Sequence, residues 1–254
     1  MGAAGAAAFA GLGLLRKSAA DCTATVSETQ GPYWLDELLN RSDVRSDPAT
    51  GVLQTGIPLR LAINVSETQA GVCSPVQGAW VDIWHCNAAG AYSDEPAGMG
   101  NPNTSGQKWL RGYQVTDAHG NVRFLTVYPG WYMGRTVHIH FRIRKFSGTT
   151  TTFNFTSQIY FTDAMSNAIF ARTPYSSHTN RNPANNTADG LYNASLLARA
   201  ADYTTHAVAS FNAVIDAVPG LLGHRLNGLP LDEEGVEHST DFGGGTPPLA
   251  LRYA

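Results

Sequence analysis

The sequence predicts a mainly β protein, an antiparallel β-sandwich with long loops and a short N-terminal helical entry segment. Three observations predict it. Several short runs alternate apolar and polar residues with the period of a half-buried strand. Turn chemistry punctuates those runs, as in Asp117-Ala118-His119-Gly120-Asn121, with glycine where a positive φ is wanted. Finally, 254 residues with 43% hydrophobic and 15% charged content suit an ordered chain with a substantial core, not a disordered one.

Leu35 to Asn40 is the helical candidate, reached through the turn-rich entry Glu28-Thr29-Gln30-Gly31-Pro32-Tyr33-Trp34. Beyond Pro48 the pattern changes to strands, with Leu59, Leu61 and Ile63 alternating with Arg60, Ala62 and Asn64. Ala79 to Cys86 is a continuous apolar-rich run that includes Trp80, Val81, Ile83 and Trp84. Gly112 to Thr116 and Val122 to Val127 flank the Asp117 turn and read as a hairpin. Val137 to Arg144 and Phe153 to Phe161 are two further strands. In the second, Phe153, Phe155, Ser157, Ile159 and Phe161 share one face, and Asn154, Thr156, Gln158 and Tyr160 the other.

Two long loops, 92–107 and 173–190, are rich in Gly, Pro and Asn, and loops of that length in a compact domain are usually functional. Ala194 to Val218 stays open between a helix, favoured by its alanines, and a hairpin turned at Asp202-Tyr203-Thr204. The expected layout is a signal-like apolar segment over 1–20, a β-sandwich domain over 21–218 and a Gly- and Pro-rich tail over 219–254.

A net charge of −3 and the lack of any Lys/Arg run give no basis for phosphate contacts, which argues against nucleic acid. The Ala-, Gly- and Leu-rich segment Gly2 to Leu15 falls short of the ~20 residues that span a bilayer, so no stable membrane span is expected. It matches the apolar centre of a secretory signal, with Ser18-Ala19-Ala20 as a small-residue cleavage region, although Arg16 and Lys17 follow it rather than precede it. Export to the extracellular space or cell envelope is the expectation; a frayed Ala-rich helix on a cytoplasmic protein is the alternative. Cys22, Cys73 and Cys86 cannot all pair within the chain and fit no zinc or haem spacing. One disulfide with a leftover thiol suits an exported protein, and three buried thiols a cytosolic one.

The densest chemistry lies in Tyr128-Pro129-Gly130-Trp131-Tyr132-Met133-Gly134-Arg135-Thr136-Val137-His138-Ile139-His140. Residues two apart on a strand point to one face, so His138 and His140 can aim at one point while Val137, Ile139 and Phe141 pack the other side. Alone, such a pair is as well explained by surface or core histidines, and each tyrosine by packing with a satisfied hydroxyl. The combination with Tyr132, Arg135 and the aromatic-rich strand ending at Tyr92 favours a metal. Two neutral imidazoles suit Zn, Cu, Fe or Ni; added phenolate oxygens favour a hard trivalent ion, Fe(III). A free phenol titrates near ~10, but a coordinated trivalent cation deprotonates it. The rival readings are a non-catalytic module binding polyphenol or carbohydrate on Trp84, Trp109 and Trp131, and a copper oxidase; the latter would rely on more histidines than this cluster offers.

Trp80-Val81-Asp82-Ile83-Trp84-His85-Cys86-Asn87-Ala88-Ala89-Gly90-Ala91-Tyr92-Ser93 resembles the first signature of the intradiol ring-cleavage dioxygenases, and Tyr128 to Phe141 the second. The group includes protocatechuate 3,4-dioxygenase, catechol 1,2-dioxygenase and standalone, often exported, relatives. The resemblance runs from about Glu28 to about Asp216. It implies a non-haem Fe(3+) centre with Tyr92, Tyr132, His138 and His140 as metal ligands, Tyr132 being the ligand that leaves when substrate binds. It further implies Arg135 as the arginine that stabilises charge on the activated ring, Gln158 as the glutamine near the oxygen pocket, and Pro32, Tyr33 and Trp131 at the substrate pocket. The implied reaction is cleavage of a small-molecule catechol by O2 to a cis,cis-muconate-type dicarboxylate. A monomer or homo-oligomer is expected, because the helical dimerisation region of catechol 1,2-dioxygenases has no counterpart here. No basic cluster adjoins the signatures, which disfavours a carboxylated substrate, with Arg111 and Lys108 left as the residues to meet one.

Overall fold

A computed structural model describes residues 22–179, 181–201 and 206–217; the signal-like segment 1–20, the tail 219–254 and the Asp202-Tyr203-Thr204 turn lie outside them. Two sheets carry the fold. In the first, β1 (Pro58–Gln69) is central, pairing antiparallel with β5 (Asn121–Val127) and β2 (Val72–Pro75) along one edge. Its other edge pairs parallel with β9 (Ala207–Asp216), which in turn holds β8 (Arg199–Ala201). The second sheet is antiparallel throughout, in the order β4 (Arg111–Val115), β3 (Trp80–Trp84), β6 (His138–Ser147), β7 (Thr150–Tyr160). The mainly β, sandwich-like class read from the sequence is the one observed.

Strand alternation builds the core. Leu59, Leu61 and Ile63 of β1, Ile139, Phe141 and Ile143 of β6, and Phe211 of β9 lie in one buried cluster, and Phe141 meets Phe211 across the two sheets with ring centroids 5.5 Å apart. The opposite face of β6 carries His138, His140, Arg142 and Arg144, and it too is buried. Residues 22–57 cause that as a strap, held to the first sheet where Thr25 N–H donates to Val214 O and Val44 N–H to Leu125 O, and crossing this face of the second between those points. Gln158 Nε2 on β7 donates to Thr29 O at 3.1 Å, the Arg142 guanidinium donates to the Gln30 side chain, and Arg144 pairs with both Asp36 and Asp82.

That strap replaces the helix expected at Leu35–Asn40. The segment is irregular, with Leu38 at φ +50, and β4 claims its end: Tyr113 N–H donates to Leu39 O at 2.8 Å, and Arg41 N–H to Tyr113 O at 3.1 Å. Local helix propensity loses to tertiary pairing. The expected Asp117 hairpin is also corrected, since β4 and β5 belong to different sheets. The turn forms as read, with Gly120 at φ +76, but Gly120 O accepts from Val65 N–H of β1 at 2.7 Å. A Cβ there would sit 2.1 Å from Val65 O, so only glycine allows the crossing.

The open region after residue 194 takes the hairpin alternative, β8 against β9. A helix unforeseen in the sequence, α1 (Asp163–Phe170), is capped by Thr162, whose hydroxyl accepts from Met165 N–H at 3.2 Å. Cys22 and Cys73 form a disulfide that ties the start of the strap to β2, and Cys86 is a buried free thiol. Among the described residues no helix is long and apolar enough to cross a membrane.

Candidate metal centre

Register places the chemistry on the strap side of the second sheet. Trp84, His140 and Gln158 lie abreast on β3, β6 and β7, and His138 lies opposite Tyr160. The two imidazoles stand perpendicular, with their Nε2 atoms 3.1 Å apart. His138 Nδ1 lies 2.6 Å from Thr136 O, which assigns the ring proton to Nδ1 and leaves Nε2 as a lone pair aimed at the centre. The His140 ring stacks on Trp84 at 4.9 Å, and its Nδ1 has no hydrogen-bond partner.

Both expected tyrosines reach the same point. Tyr92 is delivered by the loop 92–107: its N–H donates to Asn101 Oδ1 at 2.6 Å, and its carbonyl accepts from Thr104 Oγ1 at 2.7 Å. Its buried hydroxyl has no hydrogen-bond partner. Tyr132 arrives on the turn after Gly130, where a Cβ would lie 2.4 Å from Ala88 O, so the turn closes against that loop only as glycine. Tyr132 Oη is 3.4 Å from His138 Nε2, and its ring sits 5.7 Å, centroid to centroid, from both Tyr92 and His138.

Electrostatics match a cation site. Burial, reinforced by Arg135, holds both histidines well below the usual imidazole range, so they are neutral bases. Burial lifts the Tyr92 phenol well above its ordinary value, with Tyr132 adding to it, and lifts Tyr132 to about 12 against the pull of Arg135. Two lone-pair nitrogens, the buried Tyr92 phenol and the half-buried Tyr132 phenol form a donor set suited to a cation. No group of three or more His, Cys, Asp or Glu among the described residues could hold a metal, so phenol oxygens are needed here. The residues fit a trivalent cation, which stabilises phenolate over phenol.

Beside the rings, Arg135 donates from Nη2 to Gln158 Oε1 at 2.5 Å and to Tyr160 Oη at 3.2 Å, and from Nε to Asp189 Oδ2 at 3.0 Å. Burial alone would lower its pKa; Tyr132, Tyr160 and Asp189 around it outweigh that and hold it above the ordinary arginine value. Tyr33 is buried and stacks on Tyr92 at 4.3 Å; Pro32 is exposed next to it. The Trp131 ring packs in the main core, stacked on His178 at 4.0 Å and against Phe170 at 4.6 Å, in a different cluster from the tyrosines.

Arg111 and Lys108 are not left for a substrate carboxylate. Arg111, 2% exposed, spends its guanidinium on Ser93 O, Ser93 Oγ, Tyr33 O and Glu95, while Lys108 pairs with Glu37. Arg111 thereby locks the segments carrying Tyr33 and Tyr92 side by side. Sequence reasoning missed that role and also Asp189, Tyr160 and Glu28. Tyr160 was legible, because it follows Gln158 by two on the same strand face. Asp189 and Glu28 lie in irregular segments with no periodicity to mark them.

Known proteins share this architecture. An intradiol ring-cleavage dioxygenase from Tetranychus urticae superposes with a TM-score of 0.66 at 27% identity, over 81% of this chain and 98% of that one. 3-Chlorocatechol 1,2-dioxygenase from Rhodococcus opacus 1CP shares the fold, with a TM-score of 0.52 at 20% identity over 79% of this chain and 75% of that one. The protocatechuate 3,4-dioxygenase beta chain of Burkholderia cepacia is 38% identical over 79 residues, 27% of this chain and 32% of that relative, so the match spans about a third of the relative's length. Residues 29–196, more than half the chain and including all four converging rings, match the family model described as Dioxygenase. With that match and the T. urticae structure on the same fold, the chain belongs to the intradiol ring-cleavage dioxygenase family.

Proposed function

We propose that the protein holds one non-haem Fe(3+) through Tyr92, Tyr132, His138 and His140 and cleaves a catechol ring between its hydroxylated carbons. Both atoms of O2 enter a cis,cis-muconate-type dicarboxylate. The observation that carries this reading is the meeting of two imidazole lone pairs with two phenols, the buried Tyr92, without a hydrogen-bond partner, and the half-buried Tyr132. Hard oxygen and borderline nitrogen donors together suit ferric iron. When bound, the ion supplies Lewis acidity and electron affinity toward the catecholate.

The chain's own residues supply the rest. Tyr132, half-buried while Tyr92 is fully buried, would as a metal-held phenolate be the donor that yields to substrate and takes the proton of its hydroxyl, becoming a neutral phenol. Arg135 stays charged and meets the negative charge that develops on the ring. Gln158, whose amide is fixed at both ends by Arg135 and Thr29, lines the oxygen side. Tyr33, stacked on Tyr92, and the exposed Pro32 border the ring's entry, and the strap keeps water from the centre.

With Arg111 and Lys108 engaged elsewhere, the substrate is an uncharged catechol. kcat/KM for catechol should exceed that for protocatechuate by about tenfold or more, since a carboxylate in a partly buried site needs a partner. The Cys22–Cys73 disulfide supports an exported protein, in line with the apolar N-terminal segment; a fraction secreted by the native host with no titratable Cys22 or Cys73 is the expected finding. The decisive assay for the reaction is cleavage under isotopically labelled O2 with mass analysis of the product. Two labelled atoms per dicarboxylate are expected. A protein that binds catechols and never turns them over is instead the polyphenol-binding module.

A further inference from the structure

Glu28 sits on the strap and meets the site through Tyr160. The Tyr160 hydroxyl has one proton and three acceptors in reach: Glu28 Oε2 at 2.7 Å, Gln158 Oε1 at 3.1 Å and Leu191 O at 3.2 Å. Arg135 Nη2 donates to both Tyr160 Oη and Gln158 Oε1. The direction of that single proton therefore sets what Arg135 faces. Given to a Glu28 carboxylate, it leaves Tyr160 with a lone pair for Arg135 and Gln158 Oε1 free of competition. Without the carboxylate the remaining acceptors are Gln158 Oε1 and Leu191 O, and the proton turns to the nearer, Gln158 Oε1, as a second donor beside Arg135. The neighbouring strap residue, Thr29, fixes the other end of the Gln158 amide.

Resting on the function proposed above, in which Arg135 and Gln158 face the reacting ring, we propose that Glu28 is a positioning residue. Ionised, it draws the Tyr160 proton away from Gln158 and so holds the Gln158–Arg135 contact in its working form. The arrangement costs stability. Burial pushes the Glu28 carboxyl up from 4.5 to about 7, opposed by the Tyr160 hydrogen bond and Arg135 and helped by Asp189. The groups facing it are Arg135 from the turn before β6, Tyr160 from β7 and Asp189 from the loop 173–190. A carboxyl whose pKa is raised by folding contributes stability below 4.5 and loses it as the pH rises through about 7.

The test uses the iron-loaded full chain as wild type, Glu28→Met, Tyr160→Phe and the double variant. At pH 8, Glu28→Met should lower kcat about tenfold with KM within about twofold, as misplacement of a charge-stabilising group does. Iron content and the visible spectrum should not change, because Glu28 touches none of the four ring donors. Tyr160→Phe, which removes the competing proton, should restore Glu28→Met to the level of Tyr160→Phe alone. Wild-type kcat should fall as the pH drops through 7, and that limb should vanish in Tyr160→Phe. The Tm of Glu28→Met should match or exceed wild type at pH 8, with the advantage gone by pH 5. Losses that multiply in the double variant, unchanged kcat in Glu28→Met, or a lower Tm for it at pH 8 each overturn the proposal. A wild type without iron or turnover sinks the proposed function instead, and the Tm comparison then still decides whether Glu28 is kept at a cost in stability.

Discussion

Tyr92 carries a buried hydroxyl without a hydrogen-bond partner among the described residues. A buried polar atom without a partner costs ~1–3 kcal/mol, so its removal should not harm the fold. Tyr92→Phe without metal is therefore expected to be at least as stable as wild type, by up to about 1 kcal/mol in chemical denaturation, while its iron affinity drops more than tenfold. A clear destabilisation would show that the hydroxyl has a structural partner. The histidines behave differently. Burial keeps both imidazoles neutral well below the usual range, so protons compete weakly for their nitrogens. Iron should stay bound below pH 6.5 in competition with a chelator and be released only on stronger acidification. Release that begins above pH 7 would contradict neutral, buried ligands. The clustering of three of these residues was legible because their spacing is local: His138 and His140 are two apart on one strand, and Tyr132 lies on the turn just before it, whereas Tyr92, on a separate loop, carries no such local signal. The packing of Trp131 was not legible: beside Tyr132 in sequence, its ring lies in the core beside Phe170 and His178.

The strap is the element on which the site depends. It covers the buried polar face of β6 and β7, contributes Tyr33 and Glu28, and is tied to β2 only by the Cys22–Cys73 bridge at its start. The bridge closes a loop of 51 residues, and loop-closure entropy assigns it about 3–4 kcal/mol. Cys22→Ser with Cys73→Ser should lose about that much in denaturant unfolding, and should exchange the backbone N–H of Glu28 faster in hydrogen exchange. No loss of either kind would mean that the strap is held by its contacts alone. From sequence the strap resembled a turn followed by a helix, because helix-forming residues gather at Leu35–Asn40. What decides its shape is pairing with β4, some seventy residues away, and no local pattern carries that. The strands themselves were legible through alternation in β1, β6 and β7, whereas the parallel pairing of β9 with β1 was not, since its register depends on the whole sheet.

At the scale of the whole molecule, one set of strands serves two purposes. The inward side chains of β3, β6 and β7 join β1 and β9 in the core, and the outward ones form the ring cluster and its arginines. A rigid, doubly buried sheet holds His138 and His140 in place, while loops bring Tyr92 and Tyr132 to them. Arg111 couples the two arrangements. Anchored on β4, it grips Tyr33 O and Ser93 O, so Arg111→Met should lower both iron occupancy and Tm, by several kcal/mol of unfolding free energy for the lost buried contacts. Unchanged iron content and stability would remove Arg111 from the design. The central claim is that two tyrosine oxygens and two histidine nitrogens hold one ferric ion, and the visible absorption spectrum with parallel iron analysis tests it most directly. One iron per chain with a tyrosinate-to-iron charge-transfer band, altered in Tyr132→Phe and weakened in Tyr92→Phe, is the expected result. An iron-free protein that cannot be reconstituted, or a band untouched by either substitution, would contradict it.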